Sequence, residues 1–118
     1  MPNKSYKEIT SRIGKNLGVL ATTNSGVMRA FQQMSAAAGQ DGVLSAKQKE
    51  LIALAIGVAQ RCDGCIGFHV KKCIELGATR EEIIEVLGVN AYMGGGPALM
   101  YAADALYAYD EFTGADSA

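Results

Sequence analysis

The chain has no tryptophan, a single histidine, two prolines and three cysteines among 118 residues. With aromatics at 7% and hydrophobic residues at 49%, the core must be built from Ala, Leu, Ile, Val and Met. Small side chains of that kind suit close helix packing. A net charge of −1 leaves no broad basic face, which argues against a nucleic-acid partner. The longest apolar run, Leu51 to Ala59, falls far short of the ~20 residues that a membrane span needs. Pro2 to Glu8 is polar and offers no apolar signal core, so the sequence predicts a cytoplasmic protein with no membrane partner. An odd number of cysteines, two of them close together, does not make a secreted disulfide framework. In a reducing compartment such a pair is more often catalytic, redox-active or metal-binding.

Strand-like alternation is also missing, whereas helical periodicity is present throughout. Tyr6, Ile9, Ile13 and Leu17 predict a first helix from Ser5 to about Asn16, followed by a turn-rich stretch from Gly18 to Gly26. Val27, Met28, Phe31 and Met34 predict a second, from about Ser25 to Ala38. Ser45 with Gln48 and Thr79 with Glu82 have the form of capping boxes and open a third and a fifth helix. The third runs to about Gln60 and, being apolar on nearly every side in its second half, is expected to be central. The fourth runs from Cys62 to just before Gly77, a natural terminating glycine. The fifth reaches about Tyr92, Gly94 to Gly96 break the chain, and Pro97 starts a sixth helix to about Tyr109. The tail from Thr113 to Ala118 is expected to fray. These readings predict one all-α domain over residues 1–118, a compact bundle of about six helices. The apolar surplus in so short a chain predicts a homo-oligomer.

What chemistry there is gathers in Cys62-Asp63-Gly64-Cys65-Ile66-Gly67-Phe68-His69. At ~100° per residue, Cys62, Cys65, His69 and Cys73 share one helical stripe. Two cysteines one turn apart can close a disulfide without unfolding the helix. At a helix start the unpaired N–H groups and the dipole favour a thiolate. His69, one turn beyond Cys65, is placed to take or return a proton near neutral pH. If the third and fourth helices form a hairpin turning near Arg61, Glu50 lies level with His69 and Cys73, where it would hold the imidazole in one tautomer or favour its protonated form. The chain Glu50–His69–Cys65–Cys62 is then a proton relay ending in a dithiol. Cys73, with no partner within one turn, reads as a small core residue. Zinc fits poorly, because Cys62 and Cys73 lie about 16 Å apart along one helix and cannot surround one tetrahedral ion. Haem attachment needs a histidine directly after the second cysteine, where Ile66 stands. No metal or cofactor is expected.

Glu50, eleven residues, Cys62-x-x-Cys65, three residues, His69 resembles the E-x(11)-C-x-x-C-x-x-x-H signature of the alkylhydroperoxidase D-like branch of the carboxymuconolactone decarboxylase family. The residues from Lys49 to Ala55, Gly77 to Ile83 and Ala91 to Ala98 extend the resemblance, which covers about Phe31 to Leu106. It implies an all-helical fold assembled as trimers or hexamers. It also implies that Cys65 attacks a hydroperoxide to give a sulfenic acid, that Cys62 resolves this to a disulfide, and that Glu50 and His69 relay protons. A thiol or lipoyl reductant, in some relatives carried on an adaptor protein, would reopen the disulfide. The well-studied peroxidases of the branch are longer and carry a histidine directly before the second cysteine, where this chain has Gly64. Two other functions compete: decarboxylation of a small lactone, as in other family members, which lack the cysteine pair, and a non-catalytic oligomer whose dithiol responds to redox state.

Overall fold

Ser5 starts the first helix by accepting a hydrogen bond on its hydroxyl from the Glu8 N–H at 3.2 Å. The computed structural model describes residues 4–114, and within them every regular element is an α-helix. These are α1 (Tyr6–Thr23), α2 (Ser25–Gly39), α3 (Ala46–Ala59), α4 (Asp63–Glu75) and α5 (Arg80–Thr113). Residues 115–118 of the tail expected to fray lie outside the described residues.

Two boundaries differ from expectation. Helix α1 continues seven residues past Asn16, through Gly18, and ends only at Asn24, whose N–H bonds the Leu20 carbonyl at 2.8 Å. An interior glycine costs about 1 kcal/mol of helix propensity, too little to stop a run that continues with Leu17, Val19, Leu20 and Ala21. The expected turn-rich stretch is therefore one residue, Asn24, between α1 and α2. The fifth and sixth expected helices form one run of 34 residues. Its break is confined to Gly95, where φ 74° and ψ −160° require a residue without Cβ. Pro97 follows within the same run. Among the described residues the bundle thus has five helical runs, the last of which kinks where the fifth and sixth helices were expected to part.

Both capping boxes are present, Ser45 with Gln48 and Thr79 with Glu82. Helices α3 and α4 both end in the six-to-one and five-to-two hydrogen bonds of a Schellman turn. At the end of α3, the Cys62 N–H reaches the Gly57 carbonyl and the Arg61 N–H the Val58 carbonyl, each at 3.1 Å. At the end of α4, Ala78 reaches Cys73 and Gly77 reaches Ile74, at 2.9 and 3.0 Å. The left-handed residue is Gly77 in the second turn but Arg61 in the first.

The α3–α4 hairpin is the centre of the fold, with α5 packed along it and α1 laid across α4. Leu54 and Val58 of α3, Ile66, Val70 and Cys73 of α4, Ile83 and Ala105 of α5 and Tyr6 of α1 are fully buried. One face of α3 is not: Ile52 and Ile56 are half exposed in the single chain, so α3 is central on one side only. Helix α2 buries no residue at all, and its stripe of Val27, Phe31 and Met34 faces outward. Among the described residues, no helix is long and apolar enough to cross a membrane.

Candidate active site

Cys62 and Cys65 are joined in a disulfide, with their Cα atoms 5.2 Å apart. Cys62 is the N-cap of α4 rather than a helical residue, and its backbone is extended. Its sulfur accepts the Cys65 N–H at 3.1 Å, one of the orphan donors of the helix start. The turn that delivers Cys62 to this position is the Schellman end of α3 at Arg61. Sequence spacing had placed Cys62 on the helical stripe; the stripe itself begins at Cys65.

Two neighbouring helices close on this terminus. On α3, a Cβ built at Gly57 would stand 3.0 Å from the Cβ of Cys65, tighter than most such contacts, so the glycine lets the two helices approach closely. On α1, Ile13 and Thr10 occupy the space that side chains at Gly64 and Gly67 would fill. The Gly64 position is therefore covered by Ile13.

Glu50 and His69 meet across the α3–α4 hairpin, with Glu50 Oε1 against His69 Nδ1. The carboxylate accepts, so Nδ1 carries the proton between the two groups, and Nε2 is the ring nitrogen left without the carboxylate. The Glu50 side chain is 17% exposed and that of His69 36%, which leaves the imidazole open to water or substrate while its orienting partner is shielded. The pair lines a cavity of about 610 Å³ whose other walls include Phe31 and Ala36 of α2 and Phe68 and Lys72 of α4. The cysteines are not among its lining residues; the helix places Cys65 one turn back from His69, about 6 Å away between Cβ atoms. Cys73, one turn further on, is fully buried and free. Burial, reinforced by the Glu50 charge, pushes its thiol up to about 12, so it does not ionise at neutral pH. Among the described residues, no three of His, Cys, Asp and Glu gather as metal ligands.

The sequence model of the carboxymuconolactone decarboxylase family matches residues 25–108. The chain belongs to this family. Within it, the Cys62–Cys65 pair accords with the alkylhydroperoxidase D-like branch. An uncharacterized protein from Cupriavidus necator is 45% identical over 100 residues, covering 85% of this chain and 88% of its own. The crystal structure of a family member from Legionella pneumophila superimposes with a TM-score of 0.89 at 48% identity, over 91% of this chain and 96% of that one. A family protein from Thermotoga maritima, for which a part in the antioxidative response has been suggested, gives a TM-score of 0.80 at 26% identity, over 92% of each chain.

Sequence reasoning missed three features of the site. Asp63 carries no local signal beyond its place between the cysteines, yet it is bonded to Lys4 and Tyr6. Gly57 was one small residue in an apolar run, and its mid-helix position in so apolar a segment was the available signal. The wall that α2 adds to the Glu50–His69 cavity has no local signature.

Proposed function

We propose that the protein is a thiol-dependent oxidoreductase that reduces hydroperoxides through a dithiol–disulfide cycle of Cys62 and Cys65. The observation that carries this reading is the disulfide at the N-terminus of α4, one helical turn from an imidazole oriented by Glu50. In the reduced enzyme Cys65 ionises, its proton passing toward the free Nε2 of His69. The thiolate attacks one peroxide oxygen, the O–O bond breaks, and the alcohol leaves with a proton while Cys65 becomes a sulfenic acid. Cys62 attacks the Cys65 sulfur, water leaves, and the disulfide forms. A dithiol of the lipoyl type then supplies two electrons and two protons to reopen it. Cys65 as nucleophile and Cys62 as resolving thiol are roles carried from the family resemblance. The part suggested for the Thermotoga maritima protein points the same way.

In this reading the enzyme is a cytoplasmic homo-oligomer, a trimer or a hexamer. The outward stripe of α2, the half-exposed Ile52 and Ile56, and Tyr92 and Met93 beside the kink support burial against further copies. The decisive experiment is peroxide consumption with dihydrolipoamide, coupled to mass spectrometry of wild type, Cys62→Ser and Cys65→Ser. Expected are turnover by wild type only and a trapped sulfenic acid on Cys65 in Cys62→Ser. Lactone decarboxylation that survives Cys65→Ser, or a subunit count that follows redox state without turnover, would overturn the reading.

A further inference from the structure

Asp63, the residue that follows the first cysteine, is held from outside α4. Its Oδ1 accepts from the Tyr6 hydroxyl at 2.8 Å and from the Lys4 ammonium at 3.1 Å, and its Oδ2 lies 3.4 Å from the same ammonium. Lys4 also donates to Asp104 of α5 at 2.8 Å and sits over the rings of Tyr6 and Tyr101. The clamp is anchored in turn by Glu111 near the end of α5. Its two oxygens accept the Tyr6 N–H at 2.7 Å and the Ser5 hydroxyl at 2.6 Å. Burial and then the hydrogen bond to Asp63 raise the Tyr6 hydroxyl well above the usual phenol range, so it stays a donor. For Lys4 burial pulls the other way, but its two carboxylate partners outweigh it and keep the ammonium charged.

Such a construction needs a reason, because a carboxylate in the first turn of α4 competes with the dithiol. The orphan N–H groups and the dipole that favour a thiolate favour any anion, and an unheld Asp63 would both compete for them and repel the sulfur charge. We infer that Tyr6 and Lys4 are positioning residues for the dithiol: they hold and neutralise the Asp63 carboxylate so that the helix terminus is left to the thiolate. Of the other charged groups near this terminus, Arg12 and Glu8 of α1 share a depression with Lys4 and Asp63, Arg61 directly precedes Cys62, and the Glu50–His69 pair lies one turn along. The inference deepens the proposed function but needs from it only that the two thiols ionise.

The test is the alkylation rate of protein reduced with dithiothreitol, which takes up the oxidation as its cyclic disulfide. Iodoacetamide at neutral pH then forms an S–C bond to the thiolate with loss of iodide, read by mass spectrometry on tryptic peptide 62–71. Cys73 lies outside that peptide. Tyr6→Phe keeps the buried ring and removes only the hydroxyl. It is expected to slow alkylation about three- to tenfold, tenfold being one unit of thiol pKa. Asp63→Asn is expected to speed it, and Tyr6→Phe in the Asp63→Asn background to have no effect. Lys4→Met should repeat the pattern, so the answer does not depend on Tyr6→Phe folding. An unchanged rate in the folded single variants, or an equal loss with and without the Asp63 charge, would overturn the inference. Alkylation uses no peroxide, so failed peroxide turnover leaves it standing.

Discussion

The two ends of the α3–α4 hairpin are built differently. At the turn, Gly57 lets α3 press against Cys65, Ile13 covers Gly64, and the clamp from Lys4 and Tyr6 pins Asp63. At the open end, Glu50 and His69 look into a cavity of about 610 Å³, one wall of which is α2, a helix with no buried residue. One end is packed so that a backbone terminus and two sulfurs keep fixed positions. The other leaves an open space beside an imidazole. In the proposed cycle this division is useful, because disulfide exchange requires geometry and proton transfer requires access. The comparison yields predictions at both ends.

The largest effect belongs to the open end. His69→Ala is expected to lower peroxide reduction about 10²- to 10⁴-fold, the usual contribution of a positioned acid–base group. Glu50→Gln, which keeps a hydrogen-bonding shape but loses the charge, should cost less, about tenfold. Neither change touches the packed turn, so air oxidation of the dithiol should still give the disulfide by mass spectrometry. Wild-type turnover in His69→Ala would remove the open end from the chemistry.

At the packed turn the next effect is on stability. Gly57→Ala places a methyl group 3.0 Å from the Cys65 Cβ, so the two helices must give by a few tenths of an ångström. Overpacking of this kind costs about 1–3 kcal/mol, measurable by urea denaturation. Gly18→Ala, in a helical position with nothing within 4 Å of the new Cβ, should instead stabilise by about 0.4–1 kcal/mol. If both substitutions moved stability alike, the claim that α3 and α4 meet tightly at the dithiol would fail.

Much of this contrast was readable in advance where it depends on near neighbours in sequence. The capping boxes at Ser45 and Thr79, the stop at Gly77 and the level of Glu50 opposite His69 follow from hydrogen bonds within a few residues or from helix rise alone. The clamp on Asp63 does not. Its partners Tyr6 and Lys4 lie 57 and 59 residues away, and no periodicity in either segment announces the meeting. The run of α1 past Gly18 was obscure for another reason: a helical glycine and a terminating one are spelled alike until φ is known. Amphipathic spacing likewise shows that Val27, Phe31 and Met34 share a face of α2, but not that the single chain leaves that face uncovered.

Between the two ends in size of effect stands Cys73, behind the open cavity. Its thiol is raised from its ordinary 9.0 to about 12, first by burial and then by the Glu50 carboxylate. A raised acid is neutral in the fold and ionises more easily in the unfolded chain. The stability it provides is therefore complete below about pH 9 and is lost as pH rises toward 12. Against Cys73→Ala, wild type should lose stability across that window by at most about 1.4 kcal/mol per pH unit. Glu50→Gln should make the loss smaller. Parallel stability curves for wild type and Cys73→Ala from pH 8 to 11 would show that the thiol ionises without penalty, and so that the wall behind Glu50 is wetter than the geometry describes.

The smallest expected effect returns to the turn and separates its rigidity from its stability. Arg61 holds φ 56°, where a side chain costs about 1 kcal/mol or more, while Gly77 takes the same Schellman role one helix later at no such cost. Arg61→Gly relieves that strain but loosens the unfolded chain, so the net gain should be only about 0.5 kcal/mol. What makes the substitution informative is the dithiol next to it. Cys62 donates the six-to-one hydrogen bond of this turn and is also the N-cap of α4, so its position is set by the closed turn on one side and the helix on the other. Because Arg61→Gly also removes a cation beside Cys62, it is compared with Arg61→Gln, which loses the charge alone. A glycine that keeps both hydrogen bonds should match Arg61→Gln in the glutathione equilibrium of the dithiol while raising the unfolding midpoint. A redox equilibrium that differs between the two would mean that the strained residue, and not the hydrogen bonds around it, holds the sulfurs in place.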